Sequence, residues 1–173
     1  TTGRYVLTLS QSRPTAREAS LPFHIPVAIG LIGPDGADLP LRMAGDRGNA
    51  EQGRTTRVLA LTESEQRFVF EDLPAAPVPS LLREFSAPVI LDYDWRDEDL
   101  GHLLAHDSDS FNRWEAGQRL ASRLILAATE EISAGRPAHW PQSFAAAAAQ
   151  VLARAEADPA FAAEVLTLPG EAT

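Results

Sequence analysis

Near Asp94 the sequence changes its period, and nothing else in it constrains the fold as much. Before that point apolar residues tend to alternate with polar ones, and turn chemistry arrives at short intervals. After it they recur at three and four, the spacing of an amphipathic helix. All the strand-like segments therefore precede all the helical ones. That order points to an α+β protein by sequence order, not to alternating strand–helix units with a parallel sheet. The expected layout is an antiparallel, immunoglobulin-like β-sandwich over residues 1–94 and a helical domain over residues 95–173.

The strand half can be read segment by segment. Tyr5, Leu7 and Leu9 alternate with Val6, Thr8 and Ser10. Phe23 to Ile32 is a second apolar run with Pro26 inside it; proline donates nothing to a ladder, so this strand is an edge, is bulged, or starts near Pro26. Gly33-Pro34-Asp35-Gly36 has the residues of a tight turn, and Leu39 to Met43 is expected to return as the hairpin partner. Ala44 to Arg54, with Gly45, Gly48 and Gly53, reads as a surface loop. Val58, Ala60 and Thr62 oppose Leu59 and Leu61, and Phe68 and Phe70 flank Val69. A stretch punctuated by Pro74, Pro77 and Pro79 is expected to connect to a last strand at Pro88 to Trp95. Short strands separated by turns, with no helix between them, favour a sandwich.

The helical half opens with Asp94 as a candidate N-cap and Asp97, Glu98 and Asp99 where the helix dipole favours anions. Leu100, Leu103 and Leu104 continue a short helix to about His106. Asp107-Ser108-Asp109-Ser110 breaks it. Phe111, Trp114, Gly117, Ala121, Leu124, Ile125 and Ala128 then form one long stripe, stopped by Gly135-Arg136-Pro137. A third helix is expected over about Pro141 to Ala157, where Ala145 to Ala149 is simple helix propensity. Asp158-Pro159 caps a fourth, to about Val165. These helices look like the opening of a stacked α-solenoid. Trp95, Trp114 and Trp140 are expected to anchor helices onto the sandwich.

Composition narrows the functional classes. The net charge is −9, and all 15 basic residues are arginine, without a basic cluster, so a nucleic-acid partner is not expected. The absence of lysine reads as codon bias. No cysteine is present, which removes disulfides, thiolate metal sites and cysteine nucleophiles. No apolar run reaches the roughly 20 residues of a membrane span, and no secretory signal is visible at Thr1 to Tyr5. A cytoplasmic setting and no membrane partner are expected. The chain begins without Met and almost at once in a strand, so it reads as part of something longer.

Candidate chemistry is sparse. His102 and His106 share a helix face at i and i+4 and could both reach a metal ion. A hydrolytic zinc helix needs Glu directly after the first His, where Leu103 stands. Asp107-Ser108-Asp109 begins like a calcium loop but Phe111 occupies a ligand place. Gly30-Leu31-Ile32-Gly33 lacks the context of a dinucleotide loop. Ser80, Ser86 and Ser143 lie in no nucleophile elbow. Asp92, Asp94, Asp97, Glu98 and Asp99 read as a solvated acidic face, to which Arg113 or Arg119 could bridge. No catalytic, substrate-binding or metal-ligating residue is assigned.

Two longer stretches are more specific. Residues Leu103 to Leu120, LLAHDSDSFNRWEAGQRL, and Asp158 to Pro169, DPAFAAEVLTLP, resemble the helical domain of bacterial zinc aminopeptidases of the aminopeptidase N type, a gluzincin family. Tyr5 to Gln11, His24 to Ala28 and Pro79 to Val89 are similar to that family's small β-sandwich domain, in the same order. The resemblance implies a module from a four-domain enzyme, comprising the third domain and the beginning of the fourth. The family's zinc motif H-E-x-x-H and its G-x-M-E-N motif are absent here, so no functional residue carries over. It implies zinc and peptide substrates for the parent enzyme, none of either for this chain, and docking partners within the same polypeptide. Two alternatives stay open: a free-standing interaction module, and a metal-binding regulator using His102 and His106.

Overall fold

The structure is a computed structural model, and it describes residues 3–13, 21–46 and 53–170. The chain forms two compact units, Thr1–Ile90 and Leu91–Thr173.

Among the described residues the first unit forms six strands: β1 (Gly3–Ser10), β2 (Ile25–Ile32), β3 (Arg42–Met43), β4 (Thr56–Leu61), β5 (Glu65–Leu73) and β6 (Val78–Leu81). They form two three-stranded sheets, ordered β1-β5-β3 and β4-β2-β6, with every pairing antiparallel. Alternation decides which side chains meet. Leu7 lies opposite Phe68 and Tyr5 opposite Phe70 in one sheet; Val27 lies opposite Leu59 and Ile29 opposite Leu81 in the other. Leu7, Phe68, Phe70, Ile29, Leu31, Leu59, Leu61 and Leu81 are all buried, whereas Val58 turns outward. The period of two thus supplies the buried faces of both sheets.

Two expected strands differ from what forms. Leu39 to Met43 does not return as the partner of β2; only an isolated Ile32–Asp38 bridge forms there, and β3 crosses to pair with β5. Leu39 and Leu41 are buried all the same, so their apolarity marks a core-facing loop. Pro88 to Trp95 pairs with no strand among the described residues, and Val89 and Ile90 are exposed. The sixth strand is β6, inside the stretch read as a connector: Pro79 sits on an edge strand, where a missing donor is tolerated. Pro26 lies in the central strand, but β6 reaches only Ile29 to Ile32, so Pro26 has β4 as its one neighbour. Of the Ala44–Arg54 loop, residues 47–52 lie outside the described residues.

A buried arginine holds the outer side of the second sheet. Thr56, Gly30 and Ser80 form one row across β4, β2 and β6. The Arg83 guanidinium lies over Gly30 and donates to Ser80 Oγ (2.9 Å), Thr56 Oγ1 (2.9 Å) and Asp38 Oδ1 (2.7 Å). A Cβ at position 30 would stand 2.0 Å from Arg83 Cζ, so only glycine fits beneath it. To deliver Arg83 there, the backbone turns left-handed at Leu82 (φ 58°), Glu84 (φ 56°) and Phe85 (φ 53°). Such conformations cost about 1–3 kcal/mol at each non-glycine residue and persist only where other contacts impose them.

The second unit holds α1 (Asp97–His106), α2 (Ser110–Ser133), α3 (Gln142–Ala153) and α4 (Pro159–Leu166). α1 packs on α2 and α3, and α4 on the same two. The N-cap of α1 is Arg96, not Asp94: its backbone N–H donates to Asp99, whose carboxylate also takes the Arg96 guanidinium. Asp109 caps α2 by accepting from Asn112 N (2.9 Å), and Asp158 caps α4 by accepting from Phe161 N (3.0 Å). α3 is shorter than expected, ending at Ala153. The stripe of α2 buries Gly117, Ala121, Leu124 and Ala128. Leu104, Ala105, Ala147, Val151, Ala162 and Val165 form a core shared by three helices, with Trp114 packed against it. Trp95 is buried, whereas Trp140 is exposed.

Candidate functional site

The histidine pair is where the helical spacing places it. His102 and His106 lie one turn apart on α1, both half-buried, with ring centroids 4.8 Å apart. Asp99 is the carboxylate one turn before His102, and its side chain is engaged by Arg96. That guanidinium, through its hydrogen bonds, holds the Asp99 carboxyl below its ordinary value. Among the described residues no group of three His, Cys, Asp or Glu side chains could hold a metal ion. The residues present therefore do not fit a catalytic zinc, which takes three protein ligands.

The loop that follows α1 is structural. Asp107 is buried at the end of the helix and accepts from Asp109 N (3.0 Å). Beside it, Arg113 Nε donates to the Leu104 carbonyl (3.2 Å) and Arg154 to the Ala105 carbonyl (3.2 Å), so two arginines satisfy carbonyls at the C-terminus of α1. The Arg113 guanidinium also lies 4.6 Å from the centre of the Phe161 ring. Burial first, then the nearby Arg154 charge, push Arg113 below its ordinary value. The segment that only begins like a calcium loop is thus a junction of four helix ends.

The acidic run is bridged by an arginine that sequence reasoning did not single out. Arg123 donates to the Trp95 carbonyl (2.7 Å) and to Asp97 (3.2 Å), and lies 3.8 Å from Asp94. Arg119 pairs with Glu115 one turn away on α2 (2.7 Å), and Arg113 faces the helix junction instead. The only cue for Arg123 was its helical phase, four residues beyond Arg119. The same side of α2 lines an open groove of about 520 Å³ against the segment after α4, with Gln118 donating to the Thr167 carbonyl (2.8 Å). Arg119, Arg123 and Glu115 on its wall are paired with each other or with α1, which leaves a mixed and internally neutralised surface. Ser80 and Ser86 serve the sandwich: Ser80 accepts from Arg83, and Ser86 Oγ accepts from Ala28 N (2.9 Å).

Comparison with known proteins covers both units. The chain is 41% identical over 170 residues to aminopeptidase N of Escherichia coli, a match of 97% of this chain and 19% of that protein. It is 33% identical over 172 residues to aminopeptidase N of Haemophilus influenzae, again 19% of that protein, and 39% identical over 145 residues to aminopeptidase N of Caulobacter vibrioides. The chain thus spans about a fifth of the length of the curated relatives it matches. Among solved structures it is similar to the crystal structure of Legionella pneumophila aminopeptidase A in complex with aspartic acid, with TM-score 0.73 and 28% identity over 96% of this chain and 17% of that one. Residues 1–94 match the family described as domain of unknown function DUF3458, Ig-like fold, and residues 97–173 match its C-terminal companion, described as ARM repeats. With a sheet pair in the first region and stacked helices in the second, this chain belongs to the DUF3458 family found in aminopeptidase N.

Proposed function

We propose that this chain is a non-catalytic structural module of a zinc metallo-aminopeptidase, the sandwich joining the catalytic domain to a helical domain that covers the active site. The observation that carries the reading is the match along 97% of this chain to about a fifth of an aminopeptidase. A module of this kind needs no acid, base or metal of its own; it needs two well-packed units and a defined connection. Its partners are other domains of the same polypeptide, in the cytoplasm, and the peptides cleaved belong to the parent enzyme. The zinc of the parent would be held elsewhere, since no third ligand joins His102 and His106 among the described residues and Leu103 stands where a general base would follow the first His.

The isolated 173-residue chain is expected to hydrolyse no aminoacyl anilide and to retain no zinc after dialysis. Chelator-sensitive turnover by the chain alone would overturn the reading. The half-buried imidazoles 4.8 Å apart support one competing reading, a metal-binding regulator. Calorimetry with zinc and nickel separates the two: tight binding abolished by His106→Ala favours the regulator, and no binding favours the structural module.

A further inference from the structure

We propose that Arg83 is a clamp that fixes the direction in which the polypeptide leaves the sandwich. The inference rests on the linking role proposed above and names the device that would perform it. Three observations converge. First, the guanidinium is 2% exposed and bonded to three separate elements, to Thr56 on β4, Ser80 on β6 and Asp38 in the loop after β2. Second, its seat is made by an absence: Gly30 sits between Thr56 and Ser80 in the same row, and a side chain there would fill the space the guanidinium occupies. Third, the backbone carrying Arg83 is left-handed at Leu82, Glu84 and Phe85, none of them glycine.

A segment in that conformation relaxes to right-handed or extended geometry unless something holds it. Arg83 holds it from the middle, and Ser86 fastens its far end through the bond to Ala28 N. Immediately beyond, from Ala87 to Arg96, the chain has neither helix nor strand, so its starting direction is set at the last fastened residue. Phe85, at 67% exposed, contributes little core packing that could do the same work. The clamp therefore converts a side-chain contact on the sheet into a backbone direction at the exit.

The chain has no cysteine, so a spin-label pair at Thr8→Cys and Ile90→Cys, both exposed and both in the first unit, reads that direction without background. Double electron–electron resonance on the 173-residue chain is expected to give a narrow distance distribution. Arg83→Met and Gly30→Ala are each expected to broaden it at least twofold, while Arg67→Met, an exposed arginine on β5, leaves it unchanged. Distributions as narrow as the original in both variants, with circular dichroism preserved, would overturn the clamp. If neither variant folds, Thr56→Val and Ser86→Ala decide it: broadening supports the clamp and unchanged width rejects it. The readout involves no enzymatic activity, so a failed clamp and a failed linking role remain separate results.

Discussion

Asp46 and Arg57 join the two sheets through a single ion pair, and the physics of that pair can be followed with pH. Arg57 on β4 donates to both Asp46 oxygens (2.5 and 2.8 Å), and Met43 N donates to one of them (2.9 Å). The Arg57 hydrogen bonds, ahead of that from Met43, bring the Asp46 carboxyl down to about 2. A carboxyl lowered in the folded state adds stability above its unfolded value near 4, lost as the pH falls through about 2. Asp46→Asn is accordingly expected to lower the urea midpoint at pH 6 by the equivalent of ~1 kcal/mol, discounted because water screens a pair at the sheet margin. The difference should shrink as the pH falls through about 2 and vanish only below it, which a denaturation series from pH 6 down to about pH 1 checks. At the same scale, Phe70 is fully buried between β1 and β3, and Phe70→Ala should cost about 3–5 kcal/mol in the same assay. Phe70 was legible from alternation alone. The Arg83 seat was not, because its parts are separated by up to 53 positions, from Gly30 to Arg83, and no periodic signal links them.

Among the elements, legibility followed how local the determining force is. The helices announced themselves through caps and stripes: Asp109 and Asp158 each accept the N–H three residues on, and α4 begins at Pro159 as expected. Asp109→Ala is expected to destabilise the helical unit by ~1 kcal/mol, seen as a lower thermal midpoint, with Asp109→Ser recovering most of it. Where a cap depended on a longer side chain the reading shifted, and Arg96 took the place assigned to Asp94. Strands were harder. Leu91, Tyr93 and Trp95 do alternate in burial with Asp92, Asp94 and Arg96, yet no neighbouring strand completes a ladder. Alternation reports which side of a chain is covered, not what covers it. β6 was hidden for the opposite reason: Pro77 and Pro79 read as breakers, but Pro77 lies just before the strand and the edge position removes the need for a donor at Pro79.

For the whole molecule, composition constrains behaviour more than shape. The charge of −9 and isoelectric point near 4.8 predict a solubility minimum close to pH 4.8. Turbidity against pH checks it. The same charge predicts no shift of a labelled DNA duplex in a gel at 0.15 M salt, where non-specific binders rely on released counterions. The sequence of strands before helices was enough to give two kinds of structure in one chain, and the resemblance gave the family. The roles of polar residues that bond across distant segments, such as Arg83 and Arg123, remained invisible, since such bonds leave no spacing behind.

The row of Thr56, Gly30 and Ser80 beneath Arg83 has a consequence for how such a chain can vary. Position 30 and position 83 compete for one volume: a lineage that gains a side chain at the first must shrink or redirect the second. Once the guanidinium is gone, Asp38 loses an ion-pair partner and the left-handed turn loses its reason to persist. The five positions 30, 38, 56, 80 and 83 are thereby physically coupled, and are expected to change together or be kept together.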